Sequence, residues 1–241
     1  SLVGSEMCLR DSSGGGYTLL QLLIEEISGQ SFNDYMRATV FEPLGMQRST
    51  FVPDLERVEN LATFYDTDGS EAVHYRFTAL AAASLYTSAN DLSRLLKAHL
   101  PGEQGESIGR GVLEPASVAM MRVPHAAQFG ADIWGLGAML FAPDQQGNFV
   151  IGHDGNNEPA INTSARINPA TGDGIVVLET GADLLASRLA GEWVFWLTGT
   201  PDLIMLTIAS GQMIRSASVG ALVIGLIGLV LWWIRRPRRG R

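Results

Sequence analysis

The spacing of apolar positions changes near the middle of the chain. Between residues 17 and 27, Leu19, Leu20, Leu22, Leu23, Ile24 and Ile27 crowd almost every helical direction. They predict a helix buried on most of its circumference and capped by Gly29. Ser31, with Asp34 three residues on, predicts the start of a second helix that buries Phe32, Tyr35, Met36 and Val40 and stops at Pro43 and Gly45. Ser88 and Asp91 repeat that spacing ahead of Leu92, Leu95 and Leu96. A loop rich in Gly and Glu over 101–111 then leads into a short helix at 115–121. Beyond Phe129 the period falls to two. Residues 134–141, 149–152, 160–167 and 174–180 read as strands, with turn signals at Pro143, Asp154-Gly155, Asn168-Pro169 and Gly172. Such close spacing without intervening helices implies antiparallel pairing. The amphipathic stretch 182–197 can cover one sheet face. Helices, then a meander, then a closing helix predict an α+β domain over residues 1–199.

The C-terminal stretch follows another rule. Residues 216–234 (SASVGALVIGLIGLVLWWI) carry no charge, and 19 residues at ~1.5 Å each span roughly the ~30 Å apolar layer of a bilayer. Trp232 and Trp233 stand at the end of the run, followed by Arg235, Arg236, Arg238, Arg239 and Arg241. Indoles favour the headgroup boundary and arginines the cytoplasmic side. The expectation is therefore one transmembrane helix at 216–234, a juxtamembrane linker at 200–215, a cytoplasmic basic tail at 235–241 and an extracytoplasmic domain. Charge sharpens this division. Residues 1–200 hold 24 of the 25 acidic and 11 of the 17 basic residues and carry −13; residues 201–241 hold one acid and six arginines and carry +5. A domain that acidic will not grip a phosphate backbone, which excludes nucleic acid as a partner. Cys8 is the single cysteine, so no internal disulfide can form. The chain opens at Ser1 without a charged and apolar leader, and is expected to begin within a longer gene.

Metal chemistry finds no support in the residue spacing. His74, His99 and His125 lie too far apart for a ligand set, and Asp66-Thr67-Asp68-Gly69 lacks the later Glu of a calcium loop. Other segments are more specific. Gly14-Gly15-Gly16-Tyr17-Thr18-Leu19-Leu20, Phe41-Glu42-Pro43-Leu44-Gly45-Met46, Ala83-Ser84-Leu85-Tyr86-Thr87-Ser88-Ala89-Asn90-Asp91-Leu92, Trp134-Gly135-Leu136-Gly137 and Gly152-His153-Asp154-Gly155 occur in that order. Together they resemble the serine β-lactamase-related family, which includes class C β-lactamases, D,D-peptidases and esterases. In turn, they are similar to the stretch after its Tyr-x-Asn motif, its "PLGM" turn, its "GLYSTAxDL" segment, its "YGLGW" strand, and a His-x-Gly form of its Lys-Thr-Gly motif.

The resemblance implies a β-lactamase/transpeptidase-like fold, a helical cluster plus an antiparallel sheet, with its N-terminal part missing. It also implies an acyl-enzyme route that needs no cofactor, directed at a small or peptidoglycan-like substrate. The family's nucleophile comes from a Ser-x-x-Lys turn, where a spacing of three sets the lysine beside the hydroxyl. By the same resemblance, His153 lines the pocket, Gly155 admits substrate to the strand, and Asp154 and Asn156 face it, the Asn156 N–H completing an oxyanion hole. Two departures follow. No Ser-x-x-Lys is present, and Ser93 with Lys97 reads as a solvated helix face. Aligning the glycines sets Ser12 where the motif's tyrosine belongs and Gly14 where its asparagine sits. Two functions stay open. The chain is either part of a membrane-anchored serine hydrolase of the bacterial inner membrane, inactive by itself, or a tethered hydrolase-fold protein that binds without turnover. A Ser-x-x-Lys upstream separates them.

Overall fold

A computed structural model describes residues 14–54, 60–73, 76–128, 131–143, 146–157 and 160–235. The chain divides into a domain that ends at Asp202 and a separate helical segment from Leu203 onward.

The domain opens with helix α1 (Gly14–Ser28), closed by Gly29 in a left-handed conformation with its N–H on the Glu25 carbonyl. Helix α2 (Phe32–Met36) starts as the capping pattern predicts. The Ser31 hydroxyl accepts the Asp34 N–H, an arrangement that stabilises a helix end by about 1 kcal/mol. It runs on through a π-helical turn (Arg37–Phe41) that delivers Phe41 to a cluster with Phe32, Met46 and Phe51. Short α3 (Leu80–Ala83), α4 (Ala89–Lys97), capped by Ser88, and α5 (Pro115–Met121) complete the helical part.

Six strands follow as an antiparallel meander in sequential order: β1 (Ala126–Gln128), β2 (Ala131–Trp134), β3 (Met139–Pro143), β4 (Phe149–Asn157), β5 (Ile161–Ile167) and β6 (Gly174–Thr180). Helix α6 (Leu185–Thr198) turns Ala186, Ser187, Ala190, Gly191 and Val194 inward, small side chains that let it lie close to the sheet. Leu140, Phe141, Val150, Ile151 and Ile167 fill the core, each burial contributing about 1.5–3 kcal/mol.

Three expectations need correction. Residues 134–141 are not one strand, because the apolar run conceals a turn. Gly137 adopts a left-handed backbone there, and a Cβ on Gly135 would stand 2.1 Å from the Met121 carbonyl oxygen. β1 is an additional strand. Helix α1, expected to be mostly buried, buries no residue, and Leu19 and Ile27 are 69% and 78% exposed. Its main contacts are toward α2 and α3: Ile24 packs on the phenylalanine cluster, and Gln21 accepts the Ala81 N–H.

Helix α7 (Leu203–Arg235) is described by itself. It is 33 residues of unbroken helix, so the stretch expected to be a linker is helical from Leu203. Among the described residues no helix is long and apolar enough to cross a membrane.

His99, just beyond α4, is largely enclosed, and its Nδ1 has no partner. Burial, then the nearby Arg122 charge, push its pKa down to about 4. A folded-state pKa below the unfolded value of about 6.5 means the unfolded chain takes up the proton first. Stability is therefore whole above about pH 6.5 and falls as pH drops toward 4. At ~1.4 kcal/mol per unit, the loss over that window approaches about 3 kcal/mol. Urea midpoints measured between pH 7 and 4 should show this loss, and His99→Phe should remove most of it.

Candidate active site on the edge of strand β4

The geometry of β4 is set by where its partner strand stops. β3 pairs with β4 from Pro143↔Phe149 to Met139↔Gly152. From His153 to Asn157, β4 pairs with β5 alone, so among the described residues this segment has one open edge. The segment with the free edge is the one that carries His-Asp-Gly.

Two glycines make this possible. A Cβ on Gly152 would stand 2.0 Å from the Ala165 carbonyl oxygen, and one on Gly155 would stand 2.7 Å from Thr163 Oγ1. Side chains at either position would push β4 off β5. The Gly155 carbonyl accepts from the side-chain amide of Asn162 on β5 at 2.8 Å, so the Gly155 backbone groups face that strand. Directions alternate along a strand, which turns the Asn156 N–H toward the open edge. Asn156 is exposed, and its side-chain amide reaches the Asp183 carboxylate at 3.4 Å.

His153 is also exposed. Its Nδ1 lies 2.7 Å from the Asp154 carbonyl oxygen, and a carbonyl only accepts, so Nδ1 carries the hydrogen of that bond and Nε2 is left at the other side of the ring. The Trp134 ring, at the end of β2, is 6.3 Å from the imidazole. Asp154, expected to face substrate, points the other way. Its carboxylate takes Arg166 Nη2 at 2.5 Å, Arg166 Nε at 3.1 Å and the Ser164 hydroxyl at 2.6 Å. The reason is the strand's alternation, which sends Asp154 to the face where β5 presents its polar residues.

The other predicted residues are distributed unevenly. Gly14 begins α1, and Tyr17 from the same segment places its hydroxyl 3.7 Å from where a Cβ on Gly137 would be. The glycine-rich segment thus approaches the β2–β3 turn that follows Trp134. Ser12 lies outside the described residues. The Ser93 hydroxyl donates to the Ala89 carbonyl, the ordinary bond of a helix-face serine. A polar hollow of about 280 Å³ around the Asp91 cap, lined by Arg48 and Arg94 among others, contains none of the predicted site residues. Sequence reasoning missed Asn162, Ser164 and Arg166, three buried polar residues on β5. Their signal was present as polar side chains at period two within an otherwise strand-like run.

The β-lactamase family model matches residues 10–194, more than half of the chain. The chain belongs to the β-lactamase family. Penicillin-binding protein 4 of Amycolatopsis lactamdurans is 29% identical over 178 residues, which cover 69% of this chain and 46% of that protein. An octameric penicillin-binding protein homologue from Pyrococcus abyssi aligns in structure with a TM-score of 0.63 at 27% identity, over 78% of this chain and 42% of that one. A class C β-lactamase, 17% identical, shares the fold at a TM-score of 0.59, over 74% of this chain and 54% of its own. The β-lactamase family is a family of serine hydrolases, and the chain spans about half the length of these relatives. The α+β architecture read from the sequence is the architecture of that family.

Proposed function

We propose that this chain is the third-motif-bearing part of a membrane-anchored serine hydrolase. The whole protein forms an acyl-enzyme from an amide, ester or β-lactam bond on the outer face of a bacterial inner membrane. The observation that carries the reading is the open β4 edge. It sets the Asn156 N–H beside His153 with no neighbouring strand in the way. A preorganised N–H aimed at a developing oxyanion is a large catalytic contribution, and an exposed imidazole beside it suits a polar or anionic group on the substrate. The nucleophile and its lysine come from upstream, so residues 1–241 alone are inactive. A form extended upstream to include a Ser-x-x-Lys should take a covalent label from a fluorescent penicillin, and failure to label would remove the hydrolase reading.

Ser12 at the tyrosine position favours a second reading, a tethered binding protein without turnover. A serine hydroxyl is shorter and far less acidic than a phenol, so it is a poor proton relay. The same labelling experiment separates the two.

The anchoring part of the proposal rests on the uncharged run 216–234, the tryptophan pair and the arginine tail. The unbroken backbone of helix Leu203–Arg235 is compatible with it, since a spanning segment must satisfy its own backbone groups. A reporter active only outside the cytoplasmic membrane, fused after Arg241, should stay silent. Strong activity would invert the topology.

A further inference from the structure

We propose that Arg166 is a positioning residue for the β4 edge, acting through Asp154; this rests on the reading of that edge as the substrate-facing strand. Arg166 is fully buried on β5, and its guanidinium is spent in four directions. It meets Asp154 through Nε and Nη2, Asp202 through Nη1 at 2.5 Å, the Ser164 hydroxyl at 3.0 Å and the Ser187 carbonyl on α6 at 3.4 Å. Its flat face lies 3.7 Å from the centre of the Phe141 ring on β3. A planar fork held on several sides has one orientation available to it. Asp154, its partner, is the middle residue of His153-Asp154-Gly155.

The need for such a device follows from the sheet. At Ile151 and Gly152, β4 is held by strands on both sides, but from His153 onward only β5 holds it. A strand end with one neighbour frays more readily than one with two. Charge-assisted, bidentate bonds restrict position as well as adding attraction, and here they act where the second strand ends. Asn162 adds a second tether one residue later. It holds the Gly155 carbonyl at 2.8 Å and is fixed in turn by the Ser187 N–H and hydroxyl on α6. The direction of the Asn156 N–H is therefore set from behind by side chains that no substrate reaches. Asp202, the last residue of the domain, completes the clamp on the other arm of the guanidinium.

The test is residue-resolved amide hydrogen exchange on the full chain. The variants are Arg166→Lys, which keeps the charge and loses the fork, and Ser164→Ala, which removes one strut and leaves no buried charge unpaired. The His153 and Gly155 amides face β5 and report on the tether. In Arg166→Lys they should exchange at least about tenfold faster than in the parent, while the β6 amides and Val194 on α6 change less than about threefold. Ser164→Ala should give the same local pattern at smaller size, and it remains interpretable if the lysine variant fails to fold. Equal acceleration throughout the domain would reduce Arg166 to a general core residue and overturn the proposal. So would unchanged exchange at 153 and 155 in a folded variant. The measurement uses no substrate, so the two ideas fail separately. A loosened edge that still acylates at the parental rate, in a form extended to include Ser-x-x-Lys, would sink the site reading and leave the tether intact.

Discussion

Asp202→Ala should cost the domain about 1–3 kcal/mol, the desolvation cost of a buried donor left without its acceptor while Asp154 still balances the Arg166 charge. Both side chains are enclosed: Arg166 is 0% and Asp202 1% exposed. Alanine would leave one arm of the guanidinium facing a void where water is excluded. Against a typical domain stability of about 5–15 kcal/mol, such a loss is readily measured. The exposed pair Arg37–Glu42, at 3.9 Å with both side chains more than half open to solvent, makes the contrast. Glu42→Ala there should change stability by less than about 1 kcal/mol. Urea unfolding of the two variants beside the parent measures the difference. A loss below about 1 kcal/mol for Asp202→Ala would mean that the network is not the enclosed structure described here.

His153→Ala, made in a form of the protein that includes a Ser-x-x-Lys, should slow acylation about a hundredfold, similar to the loss of one oxyanion-hole donor. Two consequences of the substitution add. The imidazole at the open edge disappears, and so does the bond from its Nδ1 to the Asp154 carbonyl, which helps hold the backbone just before the Asn156 N–H. Thermal stability should barely move, because His153 is exposed and deleting an exposed side chain creates no cavity. A drop in melting temperature with unchanged acylation per folded molecule would make His153 a structural residue.

What the sequence disclosed about this fold depended on how local the physics was. The Ser31–Asp34 and Ser88–Asp91 caps were legible because each is closed within four residues, and both form as expected. The α5 segment and β6 were legible because one period runs through each without interruption. β1 was not, since Ala126–Gln128 has neither branched residues nor alternation and becomes a strand only by pairing with β2. The turn between β2 and β3 hid inside an apolar run whose glycines read as strand until their backbone angles were known. The exposure of α1 could not be read either. Apolar residues on every face call for covering, but the pattern does not state what is there to cover them.

The site divides in the same way. Gly152, Gly155 and His153 announced themselves by motif, and the structure sets them on a strand segment that pairs on one side among the described residues. Asp154 was misassigned because a motif gives order along the chain and not the face of the strand. One alternation decides between substrate and core, and here it points to Arg166. Asn162, Ser164 and Arg166 carried a readable signal, every second residue polar. Its meaning depended on knowing that this face of β5 is buried.

We propose that residues 1–241 hold the oxyanion edge of a β-lactamase-family site without its nucleophile. Incubation with a fluorescent penicillin, followed by denaturing electrophoresis, tests it most directly. The chain alone should give no covalent band, and a form extended upstream through a Ser-x-x-Lys should give one label per molecule. A stoichiometric band from the chain alone would contradict the account, because a nucleophile would then lie within these 241 residues.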